Sequence, residues 1–271
     1  MIFDITTKES AMQTLCQFTG ISANKIISFL EKNTHINEYG SVDTMDVSAE
    51  KLLFENNTSF GSLDVQSLNL KVIHYTSNND NCAAIQKLGL GDLQFALTED
   101  TPLKRFLENN SIVIHPATYT LVYNGTQFDI TYKTEGFDKS ATHKIAHKIY
   151  FDIQLNGFFK NSNIERYGAR VNKRPEFLYN IDDCFKLNLS YAWEKECTAY
   201  RVTYLAPVSD FALFTFYDTN RCEDFDEQIV AERLIQKALG VVSLADYDEI
   251  FAYMKPTTII KPNQIESIIP L

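Results

Sequence analysis

Apolar residues recur at helical spacing near the start of the chain and give way to strand-like alternation further on. The segment over Ser10 to Phe18 has apolar residues at helical spacing, and Gly20 ends it. Ser22 is placed to cap a second helix over Ala23 to Lys32, whose apolar side is Ile26, Ile27, Phe29 and Leu30. The polar run from Asn33 to Asp43 reads as a loop, and Val47 to Phe54 as a third helix capped by Asp46 or Ser48. The break at Asn56 to Gly61 divides a helical N-terminal region, residues 1–61, from a main domain, residues 62–271.

From Leu68 the texture changes. Leu70 to Tyr75 predicts a strand buried on at least one face, followed by a helix over Asn81 to Leu88 with Gly89 in the left-handed region at its end. Thr101 to Leu107 predicts a helix with Pro102 at its first position. Ser111 to His115, Tyr119 to Tyr123 and Phe128 to Tyr132 read as strands, with Asn124-Gly125 as a hairpin turn. Lys148 to Ile153 reads as a strand leading into a turn at Asn156-Gly157, and Thr198 to Leu205 as a clearly alternating strand. A helix over Asp226 to Leu239 and strands around Ile250 to Tyr253 and Ile265 to Ile269 complete the pattern. Short strands among helices, without regular βαβ alternation, predict an α+β fold.

Composition narrows the class. Of 271 residues 45% are hydrophobic, with 14 tyrosines and 19 phenylalanines against one tryptophan, so a packed, aromatic-rich core is expected rather than disorder. Acidic residues outnumber basic ones 35 to 25, for a formal charge of -10, which argues against a broad nucleic-acid-binding surface. One local basic stretch, Lys160, Arg166, Arg170, Lys173 and Arg174, stands out and reads first as a solvated loop. The five cysteines are scattered without a CxxC pair, as expected of buried thiols in a reducing cytosol. The charged N-terminal residues Asp4, Lys8 and Glu9 do not read as a signal peptide, and no run approaches a membrane span. A soluble cytoplasmic protein without membrane partners is the expectation.

Chemically capable side chains concentrate at the end of the first strand, in Val72-Ile73-His74-Tyr75-Thr76-Ser77. Each has a plain alternative: a structural histidine, a packing tyrosine, and hydroxyls of Thr76 and Ser77 that cap the next helix. Cys82, across the same loop, is either a nucleophile beside His74 or a buried thiol. His143 and His147 share one helical face, yet lack the glutamate of HExxH and a third ligand. No Gly-x-Ser-x-Gly, phosphate-binding or dinucleotide-binding glycine motif is present.

His74-Tyr75-Thr76, followed by Ile85-Gln86-Lys87-Leu88-Gly89-Leu90, resembles the opening motif of the histidine-containing branch of the ADP-ribosyltransferase superfamily. Glu249-Ile250-Phe251 and Ile260-Lys261-Pro262-Asn263-Gln264-Ile265-Glu266-Ser267-Ile268 are similar to its closing motif, a strand opening with glutamate and then a paired strand. The two ends cover about a fifth of the chain but bracket the main domain. The resemblance implies a fold of split, mostly antiparallel sheets and NAD, used as a substrate, from which ADP-ribose passes to a macromolecular acceptor. It implies Glu249 as the catalytic carboxylate and His74, Tyr75 and Thr76 as NAD-binding residues. A tyrosine belongs to the middle motif; Tyr150, Tyr167 and Tyr179 are candidates, and Tyr167 is favoured for its polar, glycine-containing surroundings. Relatives include toxins and defence effectors, so an antitoxin or other partner protein is among the expected partners. The acidic charge favours a protein acceptor over nucleic acid. The alternatives are an RNA 2'-phosphotransferase-like enzyme, in which Arg166, Arg170 and Arg174 hold phosphate, and a non-catalytic interaction module on the same fold. Asp248 and Glu176 are rival carboxylates, Glu176 reading instead as a helix start after Pro175.

Overall fold

The computed structural model describes residues 1–36, 42–43, 47–132, 141–166, 170–217, 225–243 and 249–271. In chain order its elements are β1 (Ile2–Phe3), α1 (Lys8–Thr19), α2 (Ala23–Asn33), β2 (His35–Ile36), β3 (Val42–Asp43), α3 (Ala49–Glu55) and β4 (Asn69–Asn78). There follow α4 (Ala83–Leu88), α5 (Leu93–Thr98), α6 (Pro102–Asn109), β5 (Ile112–His115), β6 (Thr120–Tyr123), β7 (Thr126–Asp129), α7 (Ala141–Tyr150) and β8 (Asn156–Asn161). The last are α8 (Phe177–Phe185), α9 (Leu189–Glu196), β9 (Thr198–Pro207), α10 (Glu227–Val242), β10 (Glu249–Tyr253) and β11 (Ile265–Pro270). Helices and strands are mixed; the β10–β8, β8–β4, β9–β11, β5–β6 and β6–β7 pairs are antiparallel and the β1–β4 pair is parallel, in keeping with the α+β expectation. Among the described residues no helix is long and apolar enough to cross a membrane.

Local chemistry sets the helix ends. Thr7 and Ser10 form a reciprocal capping box at the start of α1, and Gly20 closes it at φ 71° in the left-handed region. Ser48, Asp92, Thr101 and Asp226 each accept backbone N–H groups at the starts of α3, α5, α6 and α10. The start of α9 is capped from a distance: the Asp182 carboxylate accepts the Leu189 and Ser190 N–H groups at 2.6 and 2.9 Å.

The chain forms two compact units. The first comprises Met1–Ile73, Asn156–Ser162 and Leu205–Tyr253. In it α1 and α3 pack on α10, whose buried side includes Val230, Leu234, Ile235, Ala238 and Leu239. The Gln236 amide fastens α3 to α10, donating to the Val47 carbonyl at 2.8 Å and accepting from the Ala49 N–H at 3.1 Å. β8 lies between β10 and β4, and β1 lies parallel beside β4. Asn156-Gly157, expected as a turn, opens β8 instead. A Cβ on Gly157 would stand 2.5 Å from Val72 Cγ1 and 2.8 Å from the Ile73 carbonyl oxygen, so glycine here permits close strand approach.

The second unit comprises His74–Leu155, Asn163–Tyr204 and Met254–Leu271. Its core joins α5–α9 to the β5-β6-β7 sheet through Leu107, Ile112, Leu121, Ile145, Ile181 and Trp193. The β6–β7 hairpin turns on Asn124 and Gly125, both at positive φ, as the Asn-Gly signal predicts. Of the strand expected over Lys148 to Ile153, the first three residues are instead the end of α7 and the rest lie outside any strand or helix. Ile145, Ala146 and Ile149 are fully buried at helical spacing, and Lys148 bridges Asp152 and Glu176 at 2.7 and 2.8 Å. Glu176 stands at the start of α8, where its position after Pro175 predicts a helix start.

Candidate functional site

β4 ends in the three residues that the sequence singles out. His74, Tyr75 and Thr76 are all half-exposed, whereas Val72 and Ile73 before them and Ser77 and Asn78 after them are buried. Successive side chains of a strand point to opposite faces, so His74 and Thr76 share one face and Tyr75 takes the other. Burial raises the Tyr75 phenol, with the Arg201 guanidinium of β9 acting against that rise.

The two residues that close the strand are structural. Ser77 Oγ accepts the indole N–H of fully buried Trp193 at 2.7 Å. The Asn78 side chain accepts the Cys82 backbone N–H at 3.0 Å and lies 3.1 Å from the Cys82 sulfur. Thr76 and Ser77 therefore do not cap the next helix; Cys82 occupies its N-cap, at φ 61°. That thiol is fully buried and burial pushes its pKa up, which disfavours the nucleophilic thiolate.

α4 then delivers the Gly-Leu pair to the C-terminal segment. Leu90 and Ile260 form an antiparallel bridge, with reciprocal N–H···O bonds of 2.9 and 2.8 Å. Gly89 adopts φ 91° and ψ −163°, not the left-handed helical cap that the sequence predicts. A Cβ there would lie 2.0 Å from the Ile260 carbonyl oxygen. Beyond the bridge, Pro262–Gln264 makes a 3-10 turn held by the Gln264 side-chain oxygen on the Lys261 N–H at 2.8 Å. β11 follows and pairs with β9, with Ile268 opposite Val202 and Ile269 opposite Arg201. Within the second unit, then, the Gly89-Leu90 and Ile260-x-Pro262 segments of the resemblance are brought into direct pairing.

Glu249 belongs to the first unit. It opens β10 opposite Asn161 of β8, half-exposed, next to a register irregularity between Ile250 and Phe251. Within the first unit β10 pairs with β8, and within the second β11 pairs with β9. Asp248 lies outside the described residues.

Tyr167, the favoured middle tyrosine, also lies outside the described residues. The other two are engaged: Tyr150 donates to the Pro116 carbonyl at 2.9 Å, and Arg174 stacks on the Tyr179 ring at 3.8 Å. Burial pushes the Tyr150 phenol up to about 12. A tyrosine not weighed from sequence is the buried Tyr200 of β9, whose hydroxyl donates to Asn81 Oδ1 at 3.2 Å. Its signal was available: it sits at an inward position of the clearest alternating strand.

The basic stretch is largely consumed by ion pairs. Arg174 is buried against Glu194, Arg170 reaches the other oxygen of Glu194 at 3.0 Å, and Lys173 meets Glu165 at 3.3 Å. His143 stacks on Tyr132 at 5.2 Å and His147 contacts Phe151 at 4.7 Å, so the histidine pair joins an aromatic ladder. No group of three or more metal-ligating side chains occurs among the described residues. Comparison of the chain with protein-family models, curated proteins and solved structures finds no match.

Proposed function

We propose that the chain is an NAD-dependent ADP-ribosyltransferase acting on a macromolecular acceptor, a protein in preference to nucleic acid, with split ADP-ribosyltransferase-like sheets. The observation that carries this reading is the Leu90–Ile260 bridge, which joins two segments of the resemblance that lie far apart in sequence. His74 and Thr76, on one face of β4, offer an imidazole and a hydroxyl to ribose. Tyr75, on the other face, acts from outside that pair. Glu249 supplies the carboxylate: cleavage of the nicotinamide–ribose bond leaves positive charge on the sugar, which a fixed anion stabilises. Tyr200 joins Tyr167 as a candidate for the middle tyrosine. The RNA 2'-phosphotransferase-like alternative draws no support from Arg170 and Arg174, which meet on Glu194.

The test is incubation of labelled NAD with the protein and a cell lysate. Wild type is expected to transfer label, and Glu249→Ala to lose at least 100-fold of the rate, roughly the contribution of one positioned charge. Equal labelling by both proteins, or no nicotinamide release by wild type, overturns the assignment.

A further inference from the structure

β9 turns one face inward and the other to solvent. Tyr200, Val202 and Tyr204 are buried at alternate positions, while Arg201 and Thr203 between them are half-exposed. β11 continues this outer face: Ser267 stands opposite Thr203, and Ile269, 41% exposed, stands opposite Arg201. The register is regular from Ser267 to Pro270, so residues opposed across the two strands share a face. Arg201, Thr203, Ser267 and Ile269 therefore form one patch, all of it within the second unit. Opposed Cβ atoms lie about 5 Å apart and diagonal neighbours about 7–8 Å, within reach of an arginine side chain.

The polar groups of this patch are unused by the fold. Arg105, Arg170 and Arg174 each meet a carboxylate, but Arg201 has no ion-pair or hydrogen-bond partner among the described residues. Its Nε is covered, which restrains the stem, whereas its two terminal nitrogens are neither buried nor bonded. The charge is felt by the Tyr75 phenol of the neighbouring strand β4. The Thr203 and Ser267 hydroxyls likewise have no hydrogen-bond partner among the described residues and stand open to solvent. In a chain of formal charge -10, a guanidinium left without a carboxylate is available to an external anion.

We propose that this outer face of β9 and β11 binds a soluble phosphate ester. The terminal nitrogens of Arg201 take two phosphate oxygens, and the Thr203 and Ser267 hydroxyls donate to a third. A carboxylate has only two oxygens, both of which the guanidinium occupies, and leaves the hydroxyls idle. A tetrahedral phosphate uses all three side chains. The esterified group lies over Ile269. A single arginine is too little to hold the chain on an anionic membrane, and the net charge of -10 opposes that approach. The site is built from β9 and β11 and does not draw on His74, Thr76 or Glu249.

The probe is phenyl phosphate, titrated into the full chain and followed by phosphorus NMR and by the amide shifts of residues 201–203 and 267–269. Saturable binding is expected, with benzoate at least 5-fold weaker. Arg201→Gln is expected to weaken phenyl phosphate at least 10-fold, and Thr203→Val combined with Ser267→Ala about 5-fold. Melting temperatures stay unchanged, because none of these groups has a protein partner to lose. His74→Ala leaves the affinity as it is. Absence of saturable binding at millimolar concentration overturns the proposal, as does equal affinity for benzoate or wild-type binding by Arg201→Gln. An equal loss in His74→Ala would put the phosphate in the site already described, and also overturns it. So does pelleting of the protein with phosphatidic acid vesicles when phenyl phosphate does not bind.

Discussion

Gly20 and Gly89 both have positive φ, yet they are held there for different reasons. Gly20 ends α1 in the left-handed region with nothing within 4 Å of the position a Cβ would take. Gly89 has backbone in that place: the Ile260 carbonyl oxygen, the acceptor of the Leu90 N–H. Gly20→Ala is expected to cost about 1–2 kcal/mol, the penalty of the left-handed region for an L-residue. Gly89→Ala adds a clash that only displacement of the C-terminal segment relieves, and is expected to cost about 2–4 kcal/mol. Urea titration of the two variants checks the ordering; equal midpoints would remove the bridge from its structural role. Sequence reading placed a glycine requirement at both sites but not the reason at Gly89, because the obstructing atom lies far away in the chain.

At the scale of elements, what was legible followed local chemistry. The cap at Ser48 and the Asn-Gly hairpin are written in adjacent residues and the structure uses them, whereas Ser22, expected to cap α2, makes no side-chain cap bond. The end of α7 was missed because Ile149, Phe151 and Ile153 alternate like a strand, while the burial of Ile145 and Ala146 that decides for a helix depends on tertiary packing. Of the candidate site, the sequence located the end of β4 and the Gly-Leu and Ile-x-Pro segments. It did not separate the faces of His74 and Tyr75, nor bring in Tyr200. β1 and α1 carry a pH-dependent tie of their own. Burial by itself would raise the Asp4 carboxyl, but the Thr6 hydroxyl and N–H and the Lys71 ammonium, 3.0 Å away, hold it below the usual value. A lowered folded pKa contributes stability that is present above the unfolded carboxyl value of about 3.9 and lost as pH falls through the folded one. Asp4→Asn is therefore expected to lower the stability by about 1 kcal/mol at pH 7, with the difference from wild type vanishing in acid. Denaturation curves at pH 7, 5 and 3 read this directly, and a constant difference would contradict it.

For the molecule as a whole, the division into units decides how it can be cut. Residues 1–61 lie in one unit with 62–73, 156–162 and 205–253. A fragment spanning 62–271 lacks α1 and α3, and with them the covering of α10 and both partners of the Gln236 amide. Uncovering a helix face of this kind exposes an apolar patch of the sort that drives aggregation. The fragment is expected to show weak near-ultraviolet circular dichroism and to bind a hydrophobic dye, whereas the full chain does neither. A cooperative, native-like melt of the fragment would refute this dependence.

The interleaving of the two units also has a temporal consequence. On the ribosome, Met1–Ile73 emerges long before Leu205–Tyr253, the segment that carries α10 and β10. At about 5–20 residues per second the wait is roughly ten to forty seconds. Throughout it, the apolar sides of α1 and α3 face water or whichever chaperone holds them. The second unit can begin to gather its helices meanwhile, but β11 is translated after β10 and its pairing with β9 must come later still. Closure of each unit thus waits for its last segment, and both are most exposed to misfolding before those segments emerge.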